Sequence, residues 1–261
     1  MTATARLLEQ RSVGEVKLHV ESHGVSQLRE ADALKVRIPP GSQQAILINT
    51  GGGIAGGDAF AFDIGVGDHA SLTVTSQAAE RVYRTLGPAA SVKTSLHAGA
   101  ESKLLWLPQE TIIYDGAALR RSYSVHLDIG VVFLAVEPIV FGRREMGETV
   151  GTLQLHDTWR IWREGKLAYA DALDIGPAMP GSPASLGHAR AVATIIYLAD
   201  DAERRLDAVR EALGPLCGAS AWNGKLIARL LAEDGFMLRK QIISALAALT
   251  GPDALPKIWT M

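Results

Sequence analysis

Cys217 is the one cysteine in 261 residues, so no disulfide can close within the chain and no thiolate-rich metal site can be built. That usage fits a reducing, cytoplasmic setting. Long apolar runs are missing too: none spans a bilayer, and the opening MTATARLLEQRS lacks the apolar stretch of a secretory signal. Charge of one sign is not in excess, with 26 basic against 28 acidic residues, so no strong global field draws the chain to nucleic acid or an anionic membrane. Aromatics are 6% of residues, which speaks against a binding module built on an exposed aromatic platform. What remains is a composition of 48% hydrophobic and 21% charged residues, enough to bury a sizeable core and to exclude disorder as the dominant state.

The chain reads mostly with period two. Val16, Leu18 and Val20 alternate with Lys17, His19 and Glu21, the pattern of a half-buried strand. The same alternation recurs around Val36, Phe62, Val74, Leu96, Val125 and Val136, and over 152–161, 167–175 and 191–198. Turn residues punctuate it at Gly41, Gly65, Gly87-Pro88, Gly99, Asp115-Gly116, Gly130 and Glu164-Gly165, a spacing that predicts antiparallel pairing. Helical periodicity comes late. One helix carries Leu206, Val209 and Leu213, with Asp200-Asp201 as its cap and Gly214-Pro215 as its stop. A second starts near Asp234 and ends at Gly251-Pro252, and 225–232 between them reads as a strand. With no linker or repeat, the expectation is one domain over 1–261, mainly β in antiparallel or mixed sheet layers, with two helices near the C-terminus and a loop at 179–187.

Motifs for common chemistries fail on inspection. Gly51, Gly53 and Gly56 match G-x-G-x-x-G, but a dinucleotide cradle needs a helix next and AFAFDIGV alternates as a strand. The glycines instead suit positive φ or close approach of another segment, with Asp58 bonding freed amides. Trp222-Asn223-Gly224-Lys225 falls short of a Walker A loop, and no G-x-S-x-G elbow exists. His19, Glu21 and His23 would share one strand face and can in principle hold a borderline metal such as nickel, although a solvated face explains them as well. Carboxylates near turns (Asp58, Asp63, Glu80, Glu110, Asp115, Glu137, Glu145, Glu148) leave a glycoside hydrolase on a β-scaffold open, but sequence gives no separation between them. Arginines come in close pairs, Arg81 with Arg84, Arg120 with Arg121 and Arg143 with Arg144, near Tyr83, Trp106 and Tyr114. Arg, Tyr and Trp are the residues that anchor protein interfaces.

Four blocks taken together are more specific. GGGIAGGD (51–58), TSQAAERVYR (75–84), LLWLPQETIIYDGA (104–117) and FGRREMGE (141–148), with a closing LPKIW (255–259), resemble in order and spacing the urease accessory protein D family, UreD or UreH. The resemblance implies a β-rich, non-enzymatic scaffold with two C-terminal helices. It implies binding to the urease apoprotein and to UreF, which recruits the GTPase UreG, while UreE supplies nickel for a carbamylated lysine. No tightly bound cofactor is implied, only nickel in transit, and no nucleic acid or membrane partner. Nickel stands high in the divalent affinity series, so direct handover protects it from wrong sites, and a conduit should hold it weakly through oxygen ligands. On that basis Asp58, Glu80, Glu110, Asp115 and Glu148 are candidates for the nickel path. Arg81, Tyr83, Arg84, Trp106 and Arg143 are candidates for partner contacts.

Overall fold

The computed structural model describes residues 11–143, 146–182, 185–251 and 254–260, which leaves Arg144, Glu145, Pro252 and the middle of the 179–187 loop outside the described residues. Chain order is β1 (Val13–Glu21), β2 (Gly24–Asp32), β3 (Leu34–Arg37), β4 (Gln44–Asn49), β5 (Ala59–Val66), β6 (Ser71–Ser76), β7 (Glu80–Val82), β8 (Ala90–Ala98) and β9 (Lys103–Leu107). There follow β10 (Thr111–Ile113), β11 (Ala117–Leu127), β12 (Val132–Phe141), β13 (Leu153–Arg163), β14 (Lys166–Ile175) and β15 (Ala191–Leu198). Helix α1 (Leu206–Ala212), β16 (Gly218–Trp222), β17 (Lys225–Ala232), helix α2 (Gly235–Thr250) and a turn of helix α3 (Lys257–Thr260) complete it.

Two sheets are stacked. The seven-stranded one runs β14-β13-β11-β8-β5-β1-β2, and the ten-stranded one runs β16-β17-β15-β12-β9-β6-β4-β3 with β10 and β7 branching from β12. Pairing at the margins is antiparallel, as in β1–β2, β13–β14 and β15–β17. The sheets are mixed, as expected of the fold class, but the centre departs from the antiparallel pairing that the turn spacing alone suggests: β1–β5–β8–β11–β13 and β4–β6–β9–β12 are parallel throughout. The reason is that successive strands go to opposite sheets. Parallel neighbours need a long crossover, usually a helix; here a strand of the facing sheet serves instead. In this central region, frequent turns and period-two alternation therefore arise without hairpins, which occur at the margins, as in β1–β2, β13–β14 and β16–β17.

The faces explain the alternation. Strands β8, β11 and β13 alternate buried and exposed residues because their sheet has one face in water. Strand β9 reads LLWL without a break because the ten-stranded sheet is covered on both faces. Leu104 and Trp106 enter the core between the sheets, and Leu105 and Leu107 enter a second core under the helices. In that second core Leu238, Ile242, Ala245, Leu246 and Leu249 of α2 form one buried stripe. Asp234 caps α2 by accepting the Met237 amide at 2.8 Å, and Gly251 ends it at φ 85°. Asp201 does not cap α1. It takes the Tyr197 hydroxyl and Arg205 Nε, both at 2.7 Å, and a 3₁₀ turn at 203–205 leads into the helix.

Trp259 locks α3 onto this core. Its ring is fully buried, its Nε1 donates to the Leu107 carbonyl at 3.0 Å, and Arg239 stacks 4.9 Å from its centroid. Replacing it with Ala removes the largest fully buried side chain and orphans that carbonyl. Chemical denaturation of Trp259→Ala should show a loss of about 3–5 kcal/mol.

Candidate functional site

The sequence blocks converge on one region around the short strands β7 and β10. The Ile54 amide donates to Arg81 O at 2.7 Å and the Tyr83 amide returns a bond to Ile54 O at 2.8 Å. Glu80 N reaches Glu110 O at 2.8 Å, Tyr114 N reaches Val82 O at 3.1 Å, and Gly142 N reaches Ile113 O at 2.8 Å. Residues far apart in the chain are thus stitched edge to edge by backbone bonds.

The glycines in the first block permit that stitching. A Cβ on Gly53, which sits at φ 149°, would lie 2.8 Å from Arg81 O, and one on Gly56 would lie 2.9 Å from Pro88 O. Strand β5 follows, so there is no helix N-terminus to hold a phosphate. Asp58 is buried and closes the loop, accepting the Ala55 amide at 2.7 Å and the Ser12 amide at 2.8 Å.

The other carboxylates are also occupied. Asp115 Oδ1 accepts the Gly151 and Thr152 amides, each at 3.0 Å, and those bonds hold its carboxyl below the usual range. Glu148 is lowered chiefly by its bond to Arg143 Nε at 2.9 Å, and it also accepts the Asp115 amide at 3.3 Å. Glu110 pairs with Arg239 Nη1 at 3.0 Å, tying the third block to α2. Among the described residues no three His, Cys, Asp or Glu side chains are grouped so as to hold a metal ion. His19 and Glu21 do share the outer face of β1, where they lie over Gly65 of β5 and Gly67 just after it, but His23 lies in the turn to β2 and leaves the trio incomplete.

The partner candidates divide. Tyr83, Tyr114 and Arg143 stack on the surface: the two tyrosines meet edge to face at 5.3 Å, and the Arg143 guanidinium lies 4.2 Å over Tyr114. Arg81 and Arg84 are exposed beside them, with Leu86 and Met146 uncovered nearby in sequence. Trp106 is buried instead, packed edge to face against Phe62 at 6.2 Å and Tyr123 at 6.3 Å.

Beneath this surface lies a cavity of about 220 Å³ between the sheets, walled by Phe60, Phe62, Trp106 and Tyr123 and by Asn49, Glu80 and Arg121. Glu80 is the one path candidate on its wall. Burial pushes its carboxyl up to about 7, against the opposing hydrogen bonds from Asn49 Nδ2 at 3.1 and 3.2 Å. A second cavity of about 290 Å³ is lined by Glu137, Asp157, Asp171 and Arg229.

The two cavities share a partition made of Arg121, Glu137 and Asp157, which are only 6%, 5% and 3% exposed. Arg121 Nη2 stands 2.6 Å from Glu137 Oε1 and 2.5 Å from Asp157 Oδ2, while Nη1 donates to Thr111 Oγ1 at 2.9 Å. Burial opposes the guanidinium charge, yet the two carboxylates overcome it and hold Arg121 firmly protonated. One cation cannot neutralise both acids, and burial with Asp157 alongside pushes Glu137 up to about 8. Glu137 Oε2 and Asp157 Oδ1 are buried with no hydrogen-bond partner among the described residues. Sequence alone marks Arg121 and Glu137 without joining them, and it does not single out Asp157 or Thr111. The signal was there: Arg121 and Asp157 stand at inward positions of alternating strands, where core residues belong.

Removing the central charge leaves two buried acids uncompensated, so Arg121→Leu should cost about 3–5 kcal/mol in denaturant unfolding. A carboxyl with a raised folded pKa binds its proton more tightly in the native state. The contribution of Glu137 to stability therefore falls as pH rises from its ordinary 4.5 to about 8. Glu137→Gln should flatten the stability profile across that window, as measured by urea midpoints at successive pH values.

Comparison with known proteins gives one family. The family model described as UreD urease accessory protein matches residues 12–260. A urease accessory protein UreD from Xanthobacter autotrophicus is 42% identical over 99% of this chain and 93% of its own length. The UreD protein of Mesorhizobium japonicum is 40% identical over 97% of this chain and 96% of its own, and that of Rhizobium leguminosarum bv. viciae is 40% identical over 100% and 99%. The match runs through every stitched block and the partition beneath them, and the chain belongs to the UreD urease accessory protein family.

Proposed function

We propose that this chain is a non-catalytic scaffold in cytoplasmic urease maturation that binds the urease apoprotein and, with UreF and the GTPase UreG, supports GTP-dependent insertion of nickel. Family membership over nearly the whole chain supports the maturation role. The surface around Tyr83, Arg84, Tyr114 and Arg143 is our candidate for partner contact. Its aromatic and guanidinium groups are already ordered by stacking, so less side-chain freedom is lost on docking.

Nickel crosses the interior in this reading. The observation that supports a passage is the pair of cavities meeting at one buried polar partition, whose two unpartnered carboxylate oxygens belong to Glu137 and Asp157. Oxygen donors hold nickel loosely enough to release it, unlike thiolates. The path passes Glu80 and the partition. Asp58, Glu110, Asp115 and Glu148 shape the region around it through the amides and arginines they already hold.

Two measurements test this. In urease activated by co-expression with the accessory proteins, Glu137→Gln and Asp157→Asn should lower nickel per active site several-fold while the complex still co-purifies; unchanged nickel content in both variants rules out the passage. Arg84→Glu should weaken co-purification with UreF or the apoprotein without lowering the thermal midpoint of the isolated chain. Retention equal to the parent would make Arg84 a residue of the local turn alone.

A further inference from the structure

Strands β5, β8, β11 and β13 run parallel, yet their outer face lies in water. Parallel sheets are ordinarily covered on both faces, most often by helices. The register lines the outward residues of β8, β11 and β13 into four rows that span all three strands, and each of the first three rows brings one permanent cation: Arg120, then Lys93, then Arg160. Serines and a threonine fill most positions between them, so the middle of the face is flat. No outward position on these three strands is a carboxylate, a local excess of positive charge in a chain whose net charge is -2. Lys93 and Arg120 are exposed and form no ion pair among the described residues, while Arg160 reaches only the backbone carbonyls of Trp159 and Asp171, at 2.8 and 3.2 Å. Carboxylates at the margins are already engaged: Asp63 of β5 with Lys17 Nζ at 3.2 Å, and Asp174 of β14 with His156 Nδ1 at 3.5 Å. The fourth row is a stack of nearly parallel rings, His97 on His126 at 5.4 Å and His126 on Trp162 at 4.7 Å. Ring faces turned to one another make a poor platform for unpaired bases.

We infer that this outer face docks an acidic helix of a partner protein, laid over Arg120, Lys93 and Arg160. The four rows extend roughly 20 Å along the strands, the length of a helix of about 14 residues. Small side chains such as Ser122 let a helix lie close to the sheet. Glutamates on its underside meet the two guanidinium groups and the ammonium group, and the serine hydroxyls between them donate to further carboxylate oxygens. Complementary charge of this kind steers association and fixes orientation. The face is small for a protein interface, so binding is weak and quickly reversed. The inference stands apart from the maturation reading: it uses none of the residues assigned above to partner contact, and it is read on the isolated chain.

The test is the fluorescence anisotropy of a labelled alanine–glutamate peptide of about 18 residues, kept helical by a side-chain staple with its glutamates along one face, titrated with the full chain. At about 50 mM sodium chloride the face gives saturable binding with a dissociation constant on the order of 100 μM, weakened about tenfold at about 200 mM. Lys93→Glu combined with Arg120→Glu should weaken binding at least about tenfold. Ser122→Trp changes no charge and should weaken it as much, by lifting the helix off the sheet. Arg204→Glu, exposed at the 3₁₀ turn and outside this face, should bind as the parent does. Lys93, Arg120 and Ser122 are all exposed, so the thermal midpoints of the variants should stay at the parent's value. Equal binding by an unstapled copy of the peptide broken by proline, or by an oligothymidine of about 20 nucleotides, overturns the inference and leaves a general attraction of polyanions. Parental affinity in the charge-reversed and Ser122→Trp variants overturns it as well, as does the lack of saturable binding at the lower salt.

Discussion

A guanidinium enclosed by two carboxylates is the constraint on which the interior of this protein depends. Arg121 arises from the seven-stranded sheet, as does Asp157, and Glu137 reaches it from the ten-stranded sheet. The three therefore pin the layers at one depth and one register. Each charge is tolerable only because the others are in place, and a slip of one residue in β11, β12 or β13 would turn a charge into the apolar core or out to water. Apolar packing around Phe133, Leu104 and Leu96 supplies the bulk of the driving force, but it is indifferent to such detail. The polar partition is what makes one alignment of the sheets preferable, and it also divides the hollow between them into two chambers.

Much of the fold was legible because burial writes itself into alternation. Strands 191–198 and 225–232 and the cap of α2 at Asp234 lie where the pattern places them. The direction of pairing was not legible. Alternation reports which face a residue takes, whereas parallel or antiparallel order depends on which sheet receives the next strand, and nothing local to a turn such as Gly99 or Gly130 encodes that. Strand β2 also escaped notice, because an edge strand exposed along most of its length has no buried face to reveal it.

The site was legible by block and less so by residue. The four blocks meet in space, and the glycine loop behaves as a close-packed crossing. Carboxylates picked for their nearness to turns proved to be what turn carboxylates commonly are, acceptors for backbone amides, as Asp58 and Asp115 show. The informative residues were charges standing where leucines would be expected. Arg121 between Leu119 and Tyr123, and Asp157 between Leu155 and Trp159, break the hydrophobic rhythm in adjacent parallel strands at paired positions. Such an interruption is costly to a core, and two that face each other offset one another.

The winding of the chain between two sheets bears on how the molecule can come apart. In the central region neither sheet owns a contiguous piece of sequence: β5 and β8 border each other in one layer while β6, between them in sequence, belongs to the other. Peeling one layer from the other would thus break no covalent segment free. Erosion from a terminus removes strands from both layers in turn, as thread leaves a spool, and the buried arginine sits near the middle of the winding, where it is the last to be uncovered.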